Sequence, residues 1–110
     1  MGYMSIHNLK KGVIMKKIES TGGSYLQGVV RASYKQLLKA FGESHGNDGY
    51  KTDFEWSFEF DDGTVANIYN WKDGRNYLGP DGLEPGNIHE WHVGGFSQKA
   101  VARVIDAIED

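Results

Sequence analysis

The sequence predicts an α+β domain: a small antiparallel sheet of about four to five strands, a short helix after the second strand, and a C-terminal amphipathic helix packed on one sheet face. Three observations carry this prediction. Residues 53–60 alternate Asp, Glu or Ser with Phe54, Trp56, Phe58 and Phe60, the period-2 pattern of a half-buried antiparallel strand. Asp61-Asp62-Gly63 then offers a tight turn into residues 64–71, where Val65, Ile68, Tyr69 and Trp71 favour a returning strand. Behind Ser97, a helix-capping residue, Ala100, Val101, Val104, Ile105 and Ile108 recur at helical spacing and form one apolar stripe.

The remaining elements follow from the same signals. Residues 13–19 bring Val13, Met15 and Ile18 into a first strand, preceded by a weakly ordered extension over 1–12; either Met1 or Met15 begins the natural chain. Gly22-Gly23 turns the chain into a second strand over residues 25–31, in which Gly28 predicts a bulge or a close backbone approach. Ser33 and Gln36 have the spacing of a capping box. Tyr34, Leu37, Leu38 and Phe41 continue it as a short helix that Gly42 ends. Residues 43–50 are a polar loop. Residues 73–87 read as a long loop, because Asp73-Gly74, Gly79-Pro80, Asp81-Gly82 and Pro85-Gly86 punctuate them. Residues 88–93 supply a final strand, which Gly94-Gly95 breaks.

Composition narrows the function classes. A chain of 110 residues has room for one domain, taken here as residues 1–110. It has no cysteine, which excludes a disulfide framework and thiolate metal sites and fits a reducing compartment. No run approaches the ~20 apolar residues of a membrane span, and the first residues lack the apolar segment of a signal peptide. A cytoplasmic protein without membrane partners is expected. The net charge of −3 argues against general nucleic-acid binding, which needs a strongly basic face. No cofactor motif is present.

The candidate chemistry is sparse. His89 and His92 flank Glu90, but residues three apart in a strand point to opposite faces, and His7 and His45 lie in weakly specified segments; no metal site is predicted. Asp53, Glu55 and Glu59 share a strand face. Paired carboxylates do acid–base work when burial raises one pKa, yet a charged row opposite an aromatic row is ordinarily the solvated side of a strand. Gly94-Gly95 before Ser97 could form an anion nest at a helix start, although Gly-Gly before a cap is also ordinary punctuation. The loops are richer. Tyr50 and Lys51 end one loop, while Trp71, Lys72, Arg75 and Tyr77 open another. If the two loops lie at one end of the sheet, they pair flat rings with cations, as protein interfaces and nucleotide pockets do. In the simpler reading, Tyr50 and Trp71 close the margins of the core.

Three stretches carry a resemblance: KTDFEW (51–56), DGTVANIYNWK (62–72) and EWHVGG (90–95). Over about residues 25–108 the chain resembles small proteins of tailed bacteriophages to which no activity is assigned. The shared pattern is structural, so it transfers no catalytic or binding residue. What it implies is the setting: a non-enzymatic phage accessory protein, in the host cytoplasm, that binds and inhibits a host defence protein. In this reading Tyr50, Lys51, Trp71, Arg75 and Tyr77 form the binding surface, together with the acidic strand face of Asp53, Glu55 and Glu59. A second reading is a sponge for a nucleotide immune signal, using Arg31, Arg75, Lys51 and the tyrosines, with Gly94, Gly95 and Ser97 as the anion site. A third is a small hydrolase built on Asp53, Glu55 and His92. Open sheet edges and the commonness of two-fold dimers add a homodimer to these expectations.

Overall fold

A computed structural model describes residues 15–19 and 22–109. The expected extension over 1–12, and Val13 of the first strand, lie outside the described residues. Five strands form one antiparallel sheet: β1 (Met15–Lys17), β2 (Tyr25–Arg31), β3 (Glu55–Phe60), β4 (Val65–Tyr69) and β5 (Glu90–Gly95), in the order β1-β3-β4-β5-β2. The helices are α1 (Tyr34–Phe41), α2 (Arg75–Leu78) and α3 (Lys99–Glu109). The fold class is therefore the one the periodicities predict, with a helix after the second strand and a C-terminal helix packed on the sheet.

Strand parity decides which face is covered. Trp56, Phe58 and Phe60 on β3, Ala66 and Ile68 on β4, and Trp91 and Val93 on β5 turn to one side and are buried. There they meet Leu37, Ala40 and Phe41 of α1 and Ala100, Val104 and Ala107 of α3 in a single core cluster. The two buried indoles satisfy their only donors: Trp56 Nε1 donates to Gly42 O at 2.8 Å, and Trp91 Nε1 to Ala32 O at 2.9 Å. α1 begins as expected, with Gln36 N donating to Ser33 Oγ at 3.0 Å and Ser33 N to Gln36 Oε1 at 2.8 Å. It ends at Gly42, whose N–H reaches Leu38 O at 2.8 Å. The alternate positions, Glu55, Ser57, Glu59, Val65, Asn67, Tyr69, His92 and Gly94, line the opposite face, on which no helix packs among the described residues.

Several elements differ from expectation, each for a tertiary reason. Gly94 and Gly95 do not break β5; they are its last two residues, paired with Asn67 and Ala66 of β4. They are glycines because of close approach rather than turning. Any Cβ at Gly94 would run into the Asn67 amide, and one at Gly95 would sit 2.7 Å from both Ala100 Cβ and Val65 O. β5 starts at Glu90, because the buried Ile88 caps the 3-10 turn Pro85–Asn87, its N–H donating to Pro85 O, and does not pair in the sheet. β3 starts at Glu55 and β4 ends at Tyr69, so Asp53 and Trp71 lie beyond the strand ends. Residues 73–87 are not a structureless loop. They hold α2 and two 3-10 turns, with Pro80 and Pro85 at first-turn positions where a missing N–H costs nothing. On α3, Ala107 takes an inward position while Ile105 is 38% exposed, since that shoulder of the stripe overhangs the outer strand β2. The bulge expected near Gly28 is present, as a register shift between Leu26 and Gly28 against β5.

Candidate functional site

The site is built by polar stitching between two loops at one end of the sheet. In the first, Asp48 organises a tight turn: its Oδ1 accepts from the N–H groups of Tyr50 and Lys51 at 2.8 Å and of Thr52 at 2.9 Å. Burial alone would raise the Asp48 pKa, but these bonds, with one from the Thr52 hydroxyl, hold it below the usual carboxylate value. Thr52 is buried, and its hydroxyl lies 2.8 Å from Glu55 Oε2.

The second loop hangs on Asn70, a fully buried polar side chain at the end of β4. Its Oδ1 accepts from Asp53 N at 2.7 Å and Phe54 N at 3.0 Å. Its Nδ2 donates to Asp73 Oδ1 at 2.9 Å and Asp53 Oδ1 at 3.3 Å. Asp53 in turn caps α2, accepting from Arg75 N at 3.0 Å and Asn76 N at 3.4 Å. That approach requires Gly74, because a Cβ there would collide with the Asp53 carboxylate. Asn76 Nδ2 closes the circuit on Thr52 O at 2.9 Å.

The result is a cluster of rings and ammonium groups. Tyr50 and Tyr77, from different loops, have ring centroids 5.3 Å apart. Lys51 Nζ stands 5.4 Å from the Trp71 ring and 5.8 Å from the Tyr50 ring. Lys72 Nζ stands 5.6 Å from Trp71 and 5.5 Å from Tyr77. These separations are within cation–π reach. The cluster continues onto the uncovered sheet face, where Trp71 stacks on His92 at 6.2 Å and Tyr69 meets both edge-on. Burial, then the Glu55 charge, pushes the Tyr69 phenol up from its ordinary pKa. The outer rings remain accessible: Tyr50 is 56% exposed, Trp71 38% and Tyr77 36%. Lys72 adopts φ 61, and among the described residues it is the one non-glycine with positive φ. A left-handed conformation costs an L-residue roughly 1–2 kcal/mol. Here Lys72 N donates to Lys51 O at 2.8 Å, which ties the two loops at that strained point.

Four of the five residues singled out from the loops, Tyr50, Lys51, Trp71 and Tyr77, thus meet, and Lys72 joins them. Arg75 does not; its guanidinium pairs with Glu84 at 3.2 Å, with both side chains more than half exposed. Arg31, Gly94, Gly95 and Ser97 do not share one pocket. Arg31 is bonded to Glu90 at 2.8 Å at the far end of β5 from Gly95, and Gly94 and Gly95 face opposite sides of the sheet. Asp53, Glu55 and His92 do not converge either. Asp53 caps α2, and Tyr69 lies between Glu55 and His92 in the cross-strand row. Glu59 pairs with Lys16 across the β1–β3 ladder at 3.8 Å. His45, within the 43–50 loop, is bonded to β3, its Nδ1 accepting from Ser57 N at 3.0 Å and its N–H donating to Glu55 O at 2.6 Å. No group of three potential metal-ligating side chains occurs among the described residues.

Sequence reasoning missed Asn70, Tyr69 and His92 as parts of this site. Tyr69 and Trp71 are two apart and share strand parity, which is a readable signal. His92 joins them only through the β4–β5 register. No protein-family model matches the chain, and no curated protein matches it.

Proposed function

We propose that this protein acts by binding a protein partner, without catalysing a reaction, and that the platform of Tyr50, Lys51, Trp71, Lys72 and Tyr77 is its contact surface. One observation carries the reading. Two loops are fixed by a buried hydrogen-bond network for the evident result of holding exposed tyrosines, a tryptophan and lysines in one outward patch. Tyr and Trp in such a patch are the residue types that supply most interface energy. The rings of the patch are open to solvent, whereas small-molecule ligands are held in clefts that enclose most of their surface. The phage resemblance makes a host defence protein the expected target, inhibited by occupation of its surface.

A nucleotide signal is the second reading, because the exposed Trp71 ring beside two ammonium groups suits base stacking and phosphate contact. One experiment separates the two. Immobilised wild-type protein and a Trp71→Ala/Tyr77→Ala variant are compared for capture from host lysate, and small molecules are extracted from the recovered wild type. A defined host protein retained by wild type and lost by the variant supports the platform. Equal retention places the contact elsewhere, and recovery of a nucleotide replaces the first reading with the second.

A further inference from the structure

We infer that the platform is built for an acidic segment of its partner, with Lys72 as the anchoring cation; the inference rests on the binding role proposed above. The first observation is that five of the protein's own carboxylates in these loops are bonded to groups other than the platform lysines. Asp48 is turned into its loop by three backbone N–H groups, and Asp53 caps α2. Asp73 accepts from Asn70, Glu55 meets Thr52, and Glu84 pairs with Arg75. These five acids close in sequence to the rings are therefore engaged in other contacts, while Asp81 stays exposed on the turn after Tyr77. Among the described residues, neither Lys51 nor Lys72 has a carboxylate within 4.0 Å. Both ammonium groups rest instead on the Trp71 ring, one over Tyr50 as well and the other over Tyr77.

A cation on a ring is held in place but keeps donors for a further acceptor. Two such cations sharing one indole present a local positive spot on a chain whose net charge is −3. A carboxylate placed beside either ammonium gains a charge-assisted hydrogen bond while its apolar neighbours cover the rings. The occupant that fits is a segment carrying Asp or Glu beside Phe, Leu or similar side chains.

The second observation is the backbone of Lys72. Glycine would occupy φ 61 without strain, yet a lysine stands there. Strain retained at one residue inside an otherwise well-bonded loop is the pattern of a functional position. The left-handed turn is compatible with an ammonium lying over both Trp71 and Tyr77, and glycine would keep the turn while removing the cation. Stability and binding are thus expected to respond in opposite directions to one substitution.

The test uses the full chain with a fluorescein-labelled peptide, Asp-Glu-Phe-Glu-Asp-Leu, and its amide counterpart, Asn-Gln-Phe-Gln-Asn-Leu, followed by anisotropy and by amide shifts in heteronuclear NMR spectra. The acidic peptide is expected to bind wild type, to weaken as salt rises, and to shift resonances of residues 50–51, 71–72 and 77. Lys72→Gly should weaken it by about tenfold, equivalent to about 1.4 kcal/mol, while the thermal midpoint holds or rises. Lys72→Arg should keep most of the binding. A fall in the Lys72→Gly midpoint would show that the lysine is structural. Equal binding of the amide peptide, no loss in Lys72→Gly, or no binding of the acidic peptide at millimolar concentration would each overturn the acidic-partner inference. In that event the Trp71→Ala/Tyr77→Ala capture experiment would still decide the binding role by itself.

Discussion

Asn70→Ala is the perturbation that most directly tests how the platform is held. The asparagine is completely buried and makes four hydrogen bonds, two as acceptor from Asp53 N and Phe54 N and two as donor to Asp53 and Asp73. Alanine removes the acceptor, leaving two backbone N–H groups to find another. An orphaned buried donor costs about 1–3 kcal/mol. Asp53 and Phe54 are only half-buried, so water recovers part of that, and the released carboxylates are readily hydrated. About 1–1.5 kcal/mol per amide, plus a small cavity, gives a loss of roughly 3 kcal/mol. For a domain of this size that lowers the thermal midpoint by roughly 10–20 °C.

The loss should also be local. Trp56, Trp91 and Val93 do not depend on Asn70, so amides in β3, β4 and β5 should keep most of their hydrogen-exchange protection. Amides of Asp53, Phe54, Lys72 and Arg75 should lose theirs. Asn70→Asp is the sharper companion. It restores the acceptor but sets a third carboxylate against Asp53 and Asp73, so it should not rescue stability at neutral pH. A urea midpoint for Asn70→Ala within the equivalent of about 0.5 kcal/mol of wild type, the range of surface substitutions, would refute the keystone role. So would uniform loss of protection across the sheet.

Two further outcomes are expected. Hydrogen bonds from the Thr64 side chain and N–H, then the Arg103 guanidinium at 3.0 Å, depress the Asp62 carboxyl from 3.8 to about 2. Its folded value lies below its unfolded one, so its contribution to stability is present above about pH 4 and lost as pH falls through about 2. Carboxyl NMR titration should return that midpoint, and Thr64→Ala should raise it more than Arg103→Gln does; the reverse order would assign the depression to the ion pair. The outer edge of β2 is expected to pair with a second copy. It is a seven-residue strand whose one charged side chain, Arg31, is paired with Glu90, and a groove of about 400 Å³ containing Ile105 and Ile108 runs beside it. Light scattering should give twice 12.3 kDa for wild type and 12.3 kDa for Val29→Lys; a wild-type monomer at all micromolar concentrations would exclude this pairing.

What the sequence determined by itself is what depends on neighbours within a few residues. The alternation of Trp56, Phe58 and Phe60 specifies a strand with one buried face, because successive side chains point to opposite sides of the pleat. The Ser33–Gln36 box and Gly42 delimit α1, because caps act on the first and last turns of their own helix. The gathering of ring-bearing and basic residues in the loops after residues 49 and 70 was legible as composition. Their meeting was not. Lys51 and Lys72 share the Trp71 ring only because Asn70 and Asp53, 17 residues apart, bond across the loop ends. Trp71 stacks on His92 only through the β4–β5 register. Gly94-Gly95 reads as a strand break until Asn67 and Ala100 are seen against it, and Ile105 reads as core until the sheet is seen to end at β2. Local rules govern conformation over one turn or one pleat. Register, close approach and exposure are set between segments brought together by burial of the aromatic core, and a linear pattern holds no record of which partners that burial selects.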